Sequence, residues 1–541
     1  MIGSFWIWLP GLLITVFSAV LLSRRLFHCF QLESYQFHGY RKTVIRLYKR
    51  TVLPYLLAGA VCFAAGMLVY CLVLKKGETV TFGQALLQTL AVCIPALVVT
   101  VIVRMADRRR TEKKKYVITA RVKRLYAVHV IILLLLGTAV WFAAGLPFGA
   151  FGIWIALLPL LCALSGLIAL PVEKLIFSLY FNDARKKLLE NKRLIRIGIT
   201  GSYGKTSTKF VLATILSQKY NVLYTPSSFN TPMGITRIVR ERLTPSHQVF
   251  IGEMGARHVG EIRQLAKLVQ PAIGILTSVG PQHLDTFKTF DRIRKTKYEL
   301  IEALPDDGYA VFSDDGATVT ELYDKTKHVQ SVLVGGPSSP VRAENVCVDG
   351  SGSSFTLHID GMGEIDCRTE MLGEHNIRNI VVSAAVAHHL GLSAEQIRRG
   401  IASLKPVEHR LQLLRSAGGI NVIDDAFNTN PRSSAEALKV LKMFSGRRVL
   451  VTPGMVELGK DEERYNREFG GNICGAADLV FLVGKNHTRP ILEGMLENGF
   501  NKENVYCVSS LDEAIKMMNP MLKPGDTVMY ENDLPDNYSE N

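Results

Sequence analysis

A short run of seven residues, GSYGKTS at 201–207, places glycines, a lysine and hydroxyl groups between a predicted strand and a predicted helix. Glycines let backbone N–H groups approach phosphate oxygens, and the helix N-terminus favours anions. Lys205 can neutralise β- and γ-phosphate charge, and the Thr206 hydroxyl can hold Mg²⁺. The alternative is a glycine turn with an incidental lysine, which this strand and helix context disfavours. The predicted ATP-binding residues here are Gly201, Ser202, Gly204, Lys205, Thr206 and Ser207.

Two further polar residues follow predicted strands. Glu253 ends the apolar run at 249–251, and His283 follows the one at 273–276. Parallel strands present ligands at their carboxyl ends, where a carboxylate and an imidazole can hold the metal of a nucleotide. A lone histidine at a strand end is more often structural. From the residues alone, both interpretations stay open.

The glycine spacing points to one family. Glycines stand at 198, 201 and 204, whereas Ile199 occupies the position where the common P-loop pattern requires glycine. This GxxGxxGKT spacing resembles the Mur ligase and folylpolyglutamate synthase superfamily. Matching segments follow in order across 195–528, namely NTPMG at 230–234, EMG at 253–255, SVGPQHLD at 278–285, GEHNIRN at 373–379, DDAFNTNP at 424–431 and GMVELG at 454–459.

The DDxxNxNP run resembles the D-alanyl-D-alanine-adding MurF type and is not a signature of folylpolyglutamate synthases. The resemblance implies magnesium ligands at Thr206, Glu253, His283 and a carbamylated Lys297. It implies nucleotide contacts at Asn376, Asn379, Arg410 and Asp425. It implies substrate-side loops at Asn230, Thr231, Asn428 and Asn430. It implies catalytic roles for Lys205, Lys297, Arg410 and His283.

Several of these residues also fit purely structural roles. Lys297 has a neighbour, Lys295, with which it is easily confused, and either lysine can simply be a solvated helix residue. The two asparagines of GEHNIRN can instead cap a helix. His409 stands before Arg410 where the family usually has glycine. The sequence therefore leaves the individual roles as predictions.

The sequence differs from the family in two regions, and in the family both regions recognise the substrate. The family's N-terminal domain, which binds a UDP moiety, has no counterpart, and apolar segments occupy its place. The C-terminal run 531–538 lacks the usual KGSR-like segment. The ATP chemistry is expected to persist while the substrate changes.

The pattern of apolar segments, strands and helices along the sequence predicts the elements that position these residues. It indicates a helical membrane region followed by an α/β enzyme. The predicted divisions are a membrane region at 1–171, an amphipathic linker at 172–193, a central P-loop domain at 194–405 and a smaller Rossmann-like domain at 406–541. Five apolar segments are long enough to cross a bilayer. They are Phe5–Leu22, Pro54–Leu74, Gly83–Val103, Leu125–Gly145 and Phe148–Leu170.

Charge predicts the orientation of this region. Residues 1–171 carry 19 Lys and Arg against 4 Asp and Glu, whereas the remainder is balanced at 44 each. The loops at 23–53 and 104–124 hold seven and ten positive residues, so both are expected in the cytosol. Five crossings then put the N-terminus outside and the enzyme inside. Because the positive excess belongs to these loops, nucleic acid is not an expected partner.

The nine cysteines form no CxxC pair, which excludes zinc-ribbon and disulfide frameworks. The resemblance implies an ATP- and Mg²⁺-dependent ligase that acts through an acyl phosphate. It would join a carboxylate-bearing envelope precursor, free or lipid-linked, to an amino acid or dipeptide amine. A capsule ligase of the poly-γ-glutamate type and a nucleotide-binding membrane scaffold are the alternatives. The five spans predict contact with the bilayer and allow a membrane protein partner.

Overall fold

The structure is a computed structural model that describes residues 2–73, 81–108, 115–144, 150–227, 229–349, 352–415, 418–427 and 429–534. The chain divides into two compact units. Met1–Phe177 form the first unit, and Ser178–Leu534 belong to the second.

The first unit is entirely helical where the structure describes it. Its helices, together with the one that continues into the second unit, are α1 (Ile2–Leu32), α2 (Phe37–Arg46), α3 (Tyr48–Thr51), α4 (Leu53–Val73), α5 (Phe82–Arg108), α6 (Ala120–Ala144) and α7 (Ala150–Glu190). The described residues of each of the five predicted apolar segments fall on one of these helices. Among the described residues, four stretches are long and apolar enough to cross a membrane, namely Leu9–Leu32, Tyr48–Val69, Ala120–Ala139 and Gly152–Glu190.

The third predicted span, Gly83–Val103, differs from the others. It lies on α5, where the apolar stretch found in the described residues is Cys93–Ala106. Helix α7 is also longer than expected, because it runs through the predicted boundary at 171 and absorbs the linker. Its two internal prolines, Pro159 and Pro171, do not end it, and apolar helices tolerate proline where neighbouring groups satisfy the freed carbonyl.

The second unit begins with a parallel six-stranded sheet in the order β2-β3-β1-β4-β5-β6. Its strands are β1 (Ile195–Thr200), β2 (Val222–Tyr224), β3 (Val249–Glu253), β4 (Ile273–Leu276), β5 (Tyr309–Ser313) and β6 (Gln330–Val334). β1 lies between β3 and β4, so the loops after these three strands open at one edge of the sheet. This is the edge at which parallel sheets bind ligands.

Helices cover this sheet, and a small antiparallel sheet extends it. The helices are α8 (Lys205–Leu216), α9 (Pro232–Arg242), α10 (Glu261–Val269), α11 (Leu284–Phe287), α12 (Phe290–Glu302), α13 (Ala317–Lys325), α14 (Glu374–His389) and α15 (Ala394–Ala402). The antiparallel strands are β7 (Val341–Asp349), β8 (Gly352–Ile359) and β9 (Gly363–Thr369). One buried apolar cluster joins α8 and α14 to the strands, which fixes the direction of the helix behind the glycine loop.

A second six-stranded sheet follows in the order β10-β11-β15-β12-β13-β14. Its elements are β10 (Gln412–Arg415), β11 (Asn421–Asp425), α16 (Pro431–Lys442), β12 (Arg448–Thr452), α17 (Glu462–Ile473), β13 (Leu479–Val483), α18 (Arg489–Glu497), β14 (Val505–Val508), α19 (Leu511–Met518) and β15 (Thr527–Glu531). β10 pairs antiparallel with β11, and the other neighbours are parallel. The predicted fold class, apolar helices followed by two α/β domains, is confirmed.

Helices α17 and α18 pack backbone to backbone at two glycines. A Cβ placed on Gly470 would lie 2.1 Å from the carbonyl oxygen of Ile491, and one on Gly494 would lie 2.0 Å from that of Arg467. Backbone atoms cannot move aside as a flexible side chain can. The close approach of the two helices therefore depends on glycine at both positions.

We expect Gly470→Ala to destabilise the second sheet by about 1–3 kcal/mol, because the added methyl group overpacks this contact. Gly471→Ala is the matched control, since its Cβ would meet only the side-chain amide of Asn498. Alanine is also the better helix former, so the control is expected to be neutral or stabilising. Urea unfolding of the two variants measures the difference, and equal stabilities would contradict the proposed contact.

Candidate active site

The glycine loop lies between β1 and α8, as predicted. Gly201 and Gly204 adopt φ values of 154° and 77°, and a Cβ on Gly201 would lie 2.1 Å from the Thr277 hydroxyl. Lys205 Nζ donates to the carbonyl oxygens of Gly201 and Ser202, at 2.8 and 3.2 Å. Burial lowers the pKa of Lys205 to about 8. The loop thus holds a desolvated ammonium group of the kind that a phosphate chain would neutralise.

The Glu253 carboxylate at the end of β3 gathers three elements. Its Oε1 accepts from Thr206 Oγ1 and from Asn230 Nδ2, both at 3.1 Å, and its Oε2 pairs with Lys209 Nζ at 3.0 Å. Glu253 and Lys209 are essentially inaccessible to solvent. Although burial alone would raise it, the charges of Lys209 and Lys205 hold the pKa of Glu253 below its ordinary value. The glycine loop, helix α8 and the loop before α9 therefore meet at one charge.

Sequence reasoning did not find Lys209. It lies one helical turn after Lys205, on the same helix face, and a lysine in that position is usually solvated. Here its ammonium also donates to the carbonyl oxygen of Ser227. Its burial results from Glu253, which is 44 residues away in the sequence.

Lys297 and His283 lie near this carboxylate. Lys297, on α12, is 2% exposed, and no hydrogen bond or ion pair joins its ammonium to any residue that the structure describes. Burial, and then the charge of Lys205, hold the pKa of Lys297 well below its usual range, whereas Glu253 acts in the opposite direction. Lys297 in turn lowers the pKa of His283, after the larger effect of burial. The structure therefore brings four predicted residues, Lys205, Glu253, His283 and Lys297, into one electrostatic neighbourhood.

These side chains do not by themselves complete a metal site. In the part of the chain that the structure describes, no three His, Cys, Asp or Glu side chains are grouped closely enough to hold a metal ion. The acidic and imidazole side chains here are those of Glu253 and His283, and Thr206 adds a hydroxyl. Mg²⁺ prefers oxygen ligands in near-octahedral geometry. A magnesium ion would need further oxygen atoms, for which phosphate and a carbamate on Lys297 are the fitting sources.

Asn376 and Asn379 lie in the first turns of α14, where their amides bond within the protein. Asn376 Nδ2 donates to the carbonyl oxygen of Leu372 at 2.8 Å, and Thr208 Oγ1 donates to Asn379 Oδ1 at 3.0 Å. Neither residue is the N-cap, which is Gly373. The asparagines therefore join α14 to the glycine-loop helix, and their contact with adenine stays a prediction.

His375, near the start of α14, is half-buried, but its Nδ1 is inaccessible to solvent and has no hydrogen-bond partner among the described residues. Burial lowers its pKa to about 4, so the ring is neutral at physiological pH. A buried ring nitrogen without a partner is rare in folded proteins. No local feature of the sequence indicates that this nitrogen lacks a partner among the described residues.

Arg410 lies at the junction of the two domains. Its guanidinium carbon is 4.2 Å from the centre of the Phe427 ring, and its charge acts on both Lys205 and Asp425. The residues on each side, His409 and Leu411, adopt positive φ values of 58° and 46°. Glycine adopts such a conformation without strain, which agrees with the glycine that the family resemblance implies where His409 stands.

A cavity of about 330 Å³ opens beside Arg410. Its walls are one face of α8, the segment between the domains and the Phe427 ring. The lining residues are Thr206, Phe210, Thr214, Ser227, Ser403, Lys405, Pro406, Val407, Glu408, His409, Arg410 and Phe427. Thr206 and Arg410 thus connect this cavity to the glycine loop.

The remaining predicted residues have local roles in the structure. Ser202 Oγ donates to the carbonyl oxygen of Gly280 at 2.9 Å, and Ser207 is buried in the first turn of α8. Thr231 caps α9 and Asn430 caps α16 through their side-chain oxygens. Asn428 lies outside the described residues. The loops predicted to contact substrate are therefore held by the helices that follow them.

Three contacts that the sequence did not reveal join the two α/β domains. His283 Nδ1 lies 2.5 Å from Glu457 Oε2, Arg378 lies 3.7 Å from Glu436, and Arg432 pairs with Asp315. The Arg432 guanidinium also donates to the carbonyl oxygen of Asp315 at 3.0 Å. Such contacts between distant segments have no local sequence signal.

The carboxyl ends of three neighbouring strands in the second sheet form an acidic row. Asp425 on β11 pairs in register with Glu531 on β15, and Thr452 at the end of β12 donates to Glu531 Oε2 at 2.6 Å. The pKa of each carboxyl is raised to about 7, chiefly by burial; for Asp425 the charge of Arg410 opposes this rise and that of Glu531 adds to it. This row lies where the sequence departs from the KGSR-like segment of the family.

The glycine loop lies on a parallel sheet beside a buried lysine, and a second, Rossmann-like α/β domain follows. Together these features define a two-domain, nucleotide-dependent α/β ligase. Residues 199–387 match the Mur ligase middle domain, and residues 409–530 match the Mur ligase, glutamate ligase domain. The chain belongs to the Mur ligase family and is an ATP-dependent carboxylate–amine ligase.

Relatives and solved structures agree with this assignment. The chain is 32% identical over 310 residues to the UDP-N-acetylmuramoyl-tripeptide--D-alanyl-D-alanine ligase of Escherichia coli (strain K12), which covers 57% of this chain and 68% of the relative. The ligase of the same name from Bacillus subtilis (strain 168) is 29% identical over 339 residues, covering 62% and 72%. A crystal structure of MurF from Acinetobacter baumannii superposes with a TM-score of 0.61 at 27% identity, covering 67% of this chain and 78% of that chain.

The MurF ligase of Thermotoga maritima in complex with ADP shares the fold, with a TM-score of 0.60 at 23% identity and coverage of 67% and 82%. The matches to both domains leave the first unit outside them. The recognition of the MurF type from its ordered motifs is confirmed.

The buried carboxyls give a test by pH. Because the folded-state pKa of Glu531 lies above its unfolded value, its contribution to stability is present at low pH and is lost as pH rises through about 7. We expect the free energy of unfolding of the second sheet to fall between about pH 4.5 and pH 7, by up to about 1–3 kcal/mol, and to change little above that range.

Glu531→Gln removes one titrating group and should flatten this slope, whereas Glu503→Gln, on an exposed surface, should leave it unchanged. Urea unfolding across the pH range measures the effect. A slope that is identical in the wild type and in Glu531→Gln would contradict the elevated pKa.

Proposed function

We propose that this protein is a membrane-anchored ligase of the MurF type that forms an amide bond on a peptidoglycan or related envelope precursor at the cytoplasmic face of the membrane. The family supports ATP-dependent ligation, and the relatives are named for adding D-alanyl-D-alanine to a UDP-linked tripeptide. The observation that carries the proposal is the grouping of Lys205, Glu253, His283 and Lys297 beside the glycine loop.

In the proposed reaction, a substrate carboxylate attacks the γ-phosphorus of ATP, so that an acyl phosphate forms and ADP leaves. The amine of the second substrate then attacks the acyl carbon, loses a proton and expels phosphate, which leaves an amide. Lys205 and Arg410 offset the negative charge of the phosphates as they meet the carboxylate. Closing the second sheet over the first would exclude water, which otherwise hydrolyses the acyl phosphate.

Magnesium, when bound, would neutralise phosphate charge and polarise the phosphoryl group. We propose Thr206, Glu253, His283 and a carbamylated Lys297 as the residues that hold it. The isolation of the Lys297 amine supports the carbamate, because a buried, neutral amine is the form that reacts with carbon dioxide. The same proposal includes catalytic roles for Lys205, Lys297, Arg410 and His283. It also includes nucleotide contacts by Asn376, Asn379, Arg410 and Asp425, and substrate contacts by Asn230, Thr231, Asn428 and Asn430.

The domain limits at 171, 193 and 405 are also proposals. Membrane insertion is supported by the four long apolar stretches of the described residues and by the positive loops at 23–53 and 104–124. The proposed arrangement has five crossings, with α5 as the third. A bilayer partner fits a carboxylate substrate that is itself lipid-linked.

The activity is tested with the purified full chain, ATP, Mg²⁺ and pairs of candidate substrates. Release of ADP and phosphate is expected only when both a carboxylate and an amine are present. Lys205→Ala should lower turnover by about 100-fold or more, because it removes charge stabilisation from the transferring phosphoryl group. Lys267→Ala, a change on an exposed helix face, is the control. Nucleotide binding without turnover for any substrate pair would instead favour a membrane scaffold.

The orientation is tested with tags at the two ends of the full chain. Five crossings predict that protease added to intact spheroplasts removes an N-terminal tag and spares a C-terminal one. The same protease should remove both tags after the membrane is permeabilised. Protection of both tags in intact cells would show an even number of crossings.

A further inference from the structure

Glu457, in the GMVELG segment, makes the shortest contact between the two α/β domains that involves a predicted metal ligand. Its Oε2 lies 2.5 Å from Nδ1 of His283, and both side chains are more than four-fifths buried. The carboxylate can only accept a hydrogen bond, so Nδ1 must carry the proton. In the neutral ring Nε2 is then the unprotonated nitrogen, and this is the form that binds a metal.

The contact does not rest on one side-chain bond. The amide of Asp285 donates to the carbonyl oxygen of Glu457 at 3.5 Å, and Arg257 Nη2 lies 3.3 Å from the second carboxylate oxygen. His283 and Glu457 both have positive φ values, 52° and 67°. Residues other than glycine, asparagine and aspartate seldom adopt this conformation, and where they do it often marks a functional site.

The segment that carries Glu457 is held firmly from its own domain. Gly454 N donates to Thr452 Oγ1 at 3.0 Å, and Asn466 bonds to both the amide and the carbonyl of Met455, each at 2.9 Å. Leu458 N donates to Glu462 at 3.4 Å. The Glu457 carboxylate is therefore presented to His283 from a preorganised loop.

We infer that Glu457 is a positioning residue that fixes the tautomer and direction of the His283 ring, so that the second α/β domain completes the metal site of the first. A carboxylate bonded to the far nitrogen of a metal-binding histidine typically contributes about 10- to 100-fold to metal affinity. This inference rests on the proposed metal-binding role of His283. It makes metal affinity depend on contact between the domains.

The test is Mn²⁺ binding to the full chain in detergent, followed through the EPR signal of free Mn²⁺ at one fixed concentration of a non-hydrolysable ATP analogue. We expect Glu457→Ala to weaken protein-dependent Mn²⁺ binding by about 10- to 100-fold. Glu457→Gln, whose amide oxygen still accepts from Nδ1, should lose less than about tenfold. Glu463→Ala is the matched control, because this glutamate lies nearby in the sequence and its side chain is 74% exposed.

A double-mutant cycle separates positioning from a general structural effect. If Glu457 acts through His283, then Glu457→Ala has no further effect on Mn²⁺ binding in a His283→Ala background. The inference is overturned if Glu457→Ala binds Mn²⁺ like the wild type, if the two losses add, or if Arg257→Ala alone reproduces the loss. If the wild type with the ATP analogue binds no more Mn²⁺ than the analogue binds alone, the proposed metal site itself is rejected.

Discussion

The buried Glu253 carboxylate is the constraint on which the arrangement of the first α/β domain depends. It ends a central strand and is bonded to Thr206 and Lys209 of helix α8 and to Asn230 of the loop before α9. A buried charge that loses its partner is strongly destabilising, typically by about 3–5 kcal/mol. The glycine loop and the loop before α9 are thereby fixed relative to each other before any ligand binds, which is the preorganisation that phosphoryl transfer needs.

The site also contains buried charged groups and strained backbone conformations, each of which is unfavourable by itself and must be stabilised by the surrounding fold. Lys297 is buried without a partner among the described residues, and the Glu531 and Asp425 carboxyls lie in neighbouring register positions. His283, His409 and Glu457 all have left-handed backbone conformations. Groups of this kind cost stability, and in proteins they are concentrated at functional sites.

How much the sequence predicts depends on how local the signal is. The glycine loop, its strand and its helix are predicted correctly because their spacing is contained in one short stretch, 194–217. Lys209 and Glu457 are not, because the first is defined by Glu253 and the second by His283, 174 residues away. Thr231 and Asn430 cap helices, which is not predicted because both residues belong to motifs that are interpreted as substrate loops. Helix α7 runs through Pro171 without interruption, which the proline in the sequence does not indicate.

The end of α7 shows how a long apolar helix can set the position of a catalytic loop. Within the second unit, Arg240 of α9 pairs with Asp183 at 2.6 Å, stacks on the Tyr180 ring at 4.0 Å and accepts a hydrogen bond from Lys187 at its carbonyl oxygen. Each exposed contact alone is worth little, but three on one residue fix the register of two helices. Helix α9 begins at Pro232, directly after Thr231 and close to the Asn230 that bonds Glu253. The end of α7 therefore holds α9 in place within the second unit, and with it the loop that carries Asn230 to the Glu253 carboxylate.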